Sequence, residues 1–332
     1  MTEKREGYKK TELGWLPEDW EVVRLNDIAD KNEKYSLTGG PFGSDLKSVH
    51  YTDSGVRVIQ LQNIGDGEFL DDYCIYTSEK KADELSSCNI YPDDIIIAKM
   101  ADPLARACKI PNFRERYLMC SDGIRLKVDQ RIYNTDYILY SINSKYFRKG
   151  AEAKGSGTTR LRIGLSILRD LELIVPPLTE QQKIAGILST VDEKIDAIDT
   201  EINATEKLKK ALMRQLLTRG IGHTEFKETK IGKIPKDWEV VALGEVSKLQ
   251  SGFAFKSSDS QENGISWLKI ANVSVGKINW DDESFLPSNY KDIYTAYLLK
   301  KNDIVIAMTR PLLGKKLKIA KLKINDEGCL LN

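Results

Sequence analysis

Residues 176–220 read PPLTEQQKIAGILSTVDEKIDAIDTEINATEKLKKALMRQLLTRG, and this stretch decides how the chain is organised. After Pro176 and Pro177 it holds no further proline, and Gly186 is the single glycine before Gly220. Thr179, with Gln182 three residues on, has the form of a capping box, and Gly220 suits a C-terminal cap. The pattern predicts one helix over residues 179–219, about 60 Å long at ~1.5 Å per residue. Ile184, Leu188, Val191, Ile195, Ile198 and Ile202 recur at steps of four and three. Lys209 breaks the series, and the stripe resumes in a shifted register at Leu208, Leu212 and Leu216. Glu and Lys fill the other faces. Such a stripe needs a partner helix, as one half of a coiled coil.

Both flanks of this helix carry the same sequence pattern. LGWLPEDWEVVRL at 13–25 returns as IGKIPKDWEVVAL at 231–243, an offset of 218. VRVIQLQNI at 56–64 aligns with ISWLKIANV at 265–273, and DIIIAKM at 94–100 with DIVIAMT at 303–309, both at an offset of 209. At that offset Asn63 falls on Asn272, Asp94 on Asp303 and Cys120 on Cys329. A period this long is a duplicated domain and no solenoid. VRVIQL, DIIIAK, GIRLKV and LELIVP read as strands, and residues 136–149 as a helix. Each copy is therefore expected to be an α+β domain with a curved mixed sheet. The divisions are expected at 1–176, 177–221 and 222–332, with the last an incomplete copy of the first.

Composition narrows the chemistry. The 332 residues are 41% hydrophobic and 30% charged, with a net charge of +1. Residues 1–98 hold 11 Lys/Arg against 20 Asp/Glu, and residues 99–170 hold 15 against 7. One basic surface can sit on a near-neutral chain, and a phosphate backbone responds to local charge. No apolar run approaches the ~20 residues of a membrane helix, and no secretory signal opens the sequence. Five irregularly spaced cysteines, Cys74, Cys88, Cys108, Cys120 and Cys329, form no C-x-x-C pair. With only His50 and His223 to help, neither a disulfide framework nor a zinc site is expected. These features point to the cytoplasm.

The usual catalytic signatures are missing too. There is no phosphate-binding G-x-x-x-x-G-K-[ST] loop and no G-x-G-x-x-G after a strand. Asp93, Asp94 and Lys99 faintly resemble a magnesium-dependent nuclease, but Ile97 stands where a second acid is needed. Asp94 reads instead as the residue that turns the chain into its strand. Catalytic and metal residues are both expected to be none.

The run Leu173-Ile174-Val175-Pro176-Pro177-Leu178-Thr179-Glu180-Gln181-Gln182-Lys183-Ile184-Ala185 resembles a hallmark of the specificity subunits of type I restriction–modification systems. Lys209-Lys210-Ala211-Leu212-Met213-Arg214-Gln215-Leu216-Leu217 is similar to the end of their central helix. The opening 17–25, PEDWEVVRL, and Gly40-Pro41-Phe42-Gly43-Ser44 look like parts of their target-recognition domains. The resemblance implies a non-catalytic subunit whose two domains each read half of a split DNA sequence, with paired helices as the ruler between them. It implies methylation subunits that hold S-adenosylmethionine and methylate adenine, and motor–nuclease subunits that use ATP and Mg. No cofactor is then expected on this chain. The second domain and second helix of the pattern are not completed here. That leaves a shortened gene, a clipped chain, or a half-type subunit whose long helices pair as a homodimer. The alternative is a standalone DNA-binding regulator that dimerises through the same helix.

Within that picture the expected contacts to double-stranded DNA are Lys99, Arg106, Lys109, Arg114 and Arg116, with the loop 156–162 and its Thr158, Thr159, Arg160 and Arg162. Gln60, Gln62 and Asn63 suit adenine edges, although the recurrence of Asn63 as Asn272 also fits a turn shared by both copies.

Overall fold

All four side chains of the strand Ile95–Ala98 are fully buried, and alternate ones face opposite cores. Ile95 and Ile97 join one core with Leu25, Ile124, Ile138 and Phe147, and Ile96 and Ala98 join another with Val58, Tyr117 and Met119. Successive strand side chains point to opposite sides, so an unbroken apolar run is stable only where both faces are covered. The computed structural model describes residues 6–11, 14–100, 102–157 and 160–332. The chain divides into two compact units, Met1–Ala211 and Leu212–Asn332.

The first unit opens with a hairpin of β1 (Tyr8–Thr11) and β2 (Gly14–Pro17), then β3 (Glu21–Arg24) and the short helix α1 (Leu25–Ile28). Strands β4 (Leu37–Gly39), β5 (Tyr51–Thr52), β6 (Val56–Ile59) and β7 (Ile75–Thr77) lead to helix α2 (Glu79–Glu84). After it come β8 (Asn89–Ile90), β9 (Ile95–Ala98), β10 (Ala107–Lys109), β11 (Tyr117–Met119) and β12 (Gly123–Leu126). Helices α3 (Thr135–Asn143), α4 (Lys145–Lys154) and α5 (Leu165–Arg169) precede β13 (Glu172–Val175) and the long helix α6 (Leu178–Arg219).

The architecture is α+β, and the expected single curved sheet is two stacked sheets. One runs β10-β9-β12-β4 and is antiparallel throughout. The other runs β5-β7-β6-β11-β8 and is mixed, since β6 and β11 are parallel. One core lies between the sheets, and the other lies between the four-stranded sheet and the helices. The helix expected over 136–149 is two helices. Ser144 takes extended backbone (φ −67°, ψ 150°), and its Oγ accepts from Phe147 N at 3.3 Å, capping α4. Asp94 does turn the chain into β9, accepting from Tyr91 N at 2.9 Å. It also accepts from Arg125 Nε at 2.6 Å as a buried ion pair.

Strand β13 pairs antiparallel with β3, and Pro176-Pro177 then breaks the sheet. Helix α6 starts one residue earlier than expected, so Thr179 lies in its first turn and does not cap it. The Pro177 carbonyl accepts from Glu180 N at 2.8 Å and Gln181 N at 3.0 Å. At the far end Gly220 has φ +64° and its N–H donates to Leu216 O at 3.1 Å, the left-handed cap read from the sequence.

The second unit repeats part of the first. Strands β14 (Phe226–Thr229) and β15 (Gly232–Pro235) rebuild the opening hairpin, and helix α7 (Leu243–Val246) stands where α1 does. Strands β16 (Ile265–Leu268) and β17 (Phe285–Leu286) correspond to β6 and β7. Helix α8 (Tyr290–Ile293) leads to β18 (Ile304–Ile306), a two-residue hairpin pair β19 (Leu312–Leu313) and β20 (Lys316–Leu317), β21 (Ile319–Lys321) and β22 (Leu330–Leu331). The turn after β18 is three residues longer than the turn after β9. The register shifts there, and Leu331 pairs with Leu268 as Met119 pairs with Ile59. Cys120 therefore corresponds to Asn332, and its match to Cys329 in the ungapped alignment is corrected. Residues 239–242, which match β3, form no strand, and the described residues of this unit contain no counterpart of β13. Leu243 is 58% exposed, where Leu25 is fully buried.

Candidate nucleic-acid interface

Four strands of the first unit bring their neighbouring loops to one end. Parallel β6 and β11 lead into Gln60 and Cys120, and Cys120 N donates to Ile59 O at 2.9 Å. Strand β9 leads into Lys99, whose N–H donates to Asp122 O at 2.8 Å. Strand β4 leads into Gly40, whose N–H donates to Gly123 O at 2.9 Å. A Cβ on Gly40 would lie 1.7 Å from Cys120 O, so only glycine lets the following turn pass. Gly252 in the second unit has the same close approach, 2.1 Å to Asn332 O.

These loops enclose a cleft of about 290 Å³ lined by Pro41, Phe42, Tyr51, Gln60, Gln62, Ser121 and Asp122, among others. Gln60 Nε2 donates to Tyr51 Oη at 3.4 Å, and Gln62 Nε2 donates to Gln60 Oε1 at 3.2 Å. Phe42 is 83% exposed at the rim. Lys99 Nζ donates to Ser121 O at 2.8 Å, and burial lowers the pKa of this ammonium while the Asp122 carboxylate opposes the shift. The 156–162 loop joins this end. Ser156 and Arg162 exchange two backbone hydrogen bonds of 2.9 and 2.8 Å, and Ile163 N donates to Lys99 O at 2.9 Å. Arg162 reaches Asp122 at 3.4 Å, and Arg160 is exposed with no ion pair among the described residues. Thr158 and Thr159 lie outside the described residues.

Gln60, Gln62, Lys99, Arg160 and Arg162 are thus brought together. The remaining cations are not. Arg106 Nη2 donates to Leu61 O at 3.0 Å, and in the second unit Lys318 Nζ donates to Ile270 O at 2.9 Å. A cation on that carbonyl in both units is part of the frame. Lys109, Arg114 and Arg116 sit at the opposite strand ends. Lys109 pairs with Asp136 at 2.6 Å, and Arg116 pairs with Glu79 and with Asp83 at 2.7 Å. Arg114 Nη2 donates to Tyr76 Oη at 3.2 Å and stacks over that ring. Sequence alone carried no sign of these acidic and aromatic partners.

Asn63 belongs to the frame as well. It is 1% exposed; Oδ1 accepts from Gln60 N at 3.0 Å, and Nδ2 donates to Leu70 O and Tyr73 O at 2.9 Å each. Asn272, also 1% exposed, repeats this with Lys269 N at 2.9 Å and with Asn279 O and Asp282 O at 3.1 Å each. Around these matching frames the side chains differ. Gln60 becomes Lys269 and Gln62 becomes Ala271. Phe42, Tyr51 and Asp122 were missed by the sequence reading; the signal available was the turn at Gly40-Pro41-Phe42, which places an aromatic where a strand has just ended.

Helix α6 presents its stripe at the surface. Leu188, Val191, Ile195, Ile198, Ile202, Leu208, Leu212 and Leu216 are all exposed, and only Ile184 packs against the first unit's core. Among the described residues no helix is long and apolar enough to cross a membrane. Among them also no group of three His, Cys, Asp or Glu is placed to hold a metal.

A constant frame carrying variable side chains, built twice and joined by a long helix, is the form of a modular recognition protein. Residues 17–207 and 235–332 match the family model of the type I restriction modification DNA specificity domain. The chain is 35% identical over 337 residues to the type I restriction enzyme MjaVIII specificity subunit of Methanocaldococcus jannaschii, covering 99% of this chain and 72% of that one. It is 27% identical to the putative MjaX specificity subunit of the same organism, covering 98% and 76%. The solved structure of a type I restriction–modification S subunit from M. genitalium superposes with a TM-score of 0.49 at 16% identity, covering 94% and 70%. The chain belongs to the type I restriction modification DNA specificity family. It is a DNA-specificity subunit and not the catalyst, which favours that reading over a standalone regulator.

Proposed function

We propose that the strand ends around Gln60, Gln62, Lys99, Arg160 and Arg162 read one half of a split DNA site, and that the second unit reads the other half. Amide side chains match the donor–acceptor pair on adenine, and the flanking cations match phosphates. Helix α6 sets the gap between the halves. Its exposed stripe packs against a second such helix, and two copies of this chain can pair these helices antiparallel, since α6 carries an apolar seam from Ile184 to Ile202 that resumes from Leu208 to Leu216. The chemistry falls to partner subunits. Methylation subunits bind S-adenosylmethionine and modify adenine, and motor–nuclease subunits bind ATP and Mg and cleave.

The observation that carries this reading is the contrast between the units. Asn63 and Asn272 hold the same loop in the same way, while the cleft positions beside them change from Gln60 and Gln62 to Lys269 and Ala271. Frame positions that keep their contacts and surface positions that change are what two different readings on one fold require. The test mixes the protein with its cognate methylation subunit and S-adenosylmethionine and maps methylated adenines across a genome. A two-part motif whose presence depends on this chain is expected. Methylation that is unchanged when the chain is left out overturns the reading.

A further inference from the structure

The root of helix α6 is fixed by contacts that helix formation does not need. Two of its first-turn amides, those of Glu180 and of Gln181 itself, already donate to the Pro177 carbonyl. Gln181, 1% exposed, nevertheless buries its amide among three backbone segments. Oε1 accepts from Asn134 N at 2.8 Å; Nε2 donates to Pro176 O at 2.8 Å and lies 3.5 Å from Ile132 O. Asn134 is itself the cap of α3, accepting from Tyr137 N at 2.9 Å. Three turns further on, Tyr140 Oη of α3 donates to Asp192 Oδ2 at 2.6 Å and lies 3.5 Å from Ser189 Oγ. Gly186, the weak point of the helix, sits between these two attachments. From residue 191 to 219 every residue is exposed, and no glycine or proline interrupts that length.

We infer that Gln181 and Tyr140 are positioning residues that fix the direction in which α6 leaves the first domain, and so confine the gap between half-sites to one length. The inference rests on the proposed role of α6 as a ruler. Geometry sets the demand. The helix continues for about 40 Å beyond Asp192 at ~1.5 Å per residue. A swing of about 10° at the root moves its tip by roughly 7 Å, or about two base pairs at ~3.4 Å each. A straight helix bends only gently along its length, so the error that matters is the one at the root. Two attachments spaced along the helix resist that swing, where a single one would act as a pivot.

The test compares Gln181→Met, which keeps the bulk and removes the amide, with Tyr140→Phe, which removes one hydroxyl. Spin labels on the exposed native Cys74 and on Lys207→Cys report the spread of helix directions in the whole chain. Both variants are expected to broaden that distance distribution, at least twofold for Gln181→Met. With the cognate methylation subunit, both should keep the half-site sequences and methylate sites with gaps one or two base pairs longer or shorter. An unchanged distance distribution and a single gap length in folded variants overturn the inference. If Gln181→Met does not fold, Tyr140→Phe decides on the same two readouts, since its hydroxyl lies at the surface. Should the unaltered protein direct no split-site methylation, the ruler reading fails, and the label distances show separately whether the root is a clamp.

Discussion

Asn63 and Gln60 are bonded to one another and play opposite parts. Asn63→Ala removes the hydrogen bonds to Gln60 N and Leu70 O and leaves Tyr73 O with Arg57 Nη2 at 3.2 Å, and is expected to cost about 1–3 kcal/mol of stability, with base preference unchanged. Gln60→Ala is expected to change stability by less than about 0.5 kcal/mol and to lose roughly 1–3 kcal/mol of discrimination at one base position. Denaturant melts and selection from a randomised site library separate the two. Arg125→Ala removes the 2.6 Å partner of the buried Asp94 carboxylate, leaving it Lys127 at 3.7 Å and the Tyr91 N–H, and should destabilise the first unit by about 3 kcal/mol, read in the same melts. The part of Asn63 was legible because it recurs as Asn272. Arg125 was not, because a polar residue alternating within GIRLKV looks like an exposed strand position. Gln181 was hidden by its neighbour: Thr179 and Gln182 have the spacing of a capping box, and a one-residue error in the helix start exchanges the buried and exposed glutamines.

At the scale of elements, the proposed assembly rests on the exposed stripe of α6. Replacing Ile195 and Ile198 with aspartate leaves the helix intact, since both side chains are exposed in the chain alone. Sedimentation should then show loss of self-association or of the assembled complex, with circular dichroism unchanged. Persistence of the assembly would mean that α6 does not form the seam. The helix was legible nearly end to end because its apolar series is long, shifts register only near Lys209, and meets no proline. The split between α3 and α4 was not, as the apolar face runs past Ser144 and only a backbone turn divides it. The two-sheet layering was also hidden. The run Ile95–Ala98 says that both faces of a strand are covered, without saying that a second sheet covers one of them.

At the scale of the whole molecule, the proposed reading makes recognition modular, one half-site to each copy of the duplicated frame. Changing Gln60→Lys together with Gln62→Ala, the residues found at Lys269 and Ala271, should alter one half of the recognised sequence and leave the other as it was. The duplication was plain in the sequence, but its register was not. The ungapped match of Cys120 to Cys329 concealed three extra residues that strand pairing reveals. The most direct measurement is the methylation map of a variant with one extra heptad inserted between Thr200 and Glu201. Seven residues add about 10 Å of helix, so both half-sites should stay the same while the gap between them grows by roughly three base pairs. A gap of unchanged length in that variant, with methylation intact, would contradict the account.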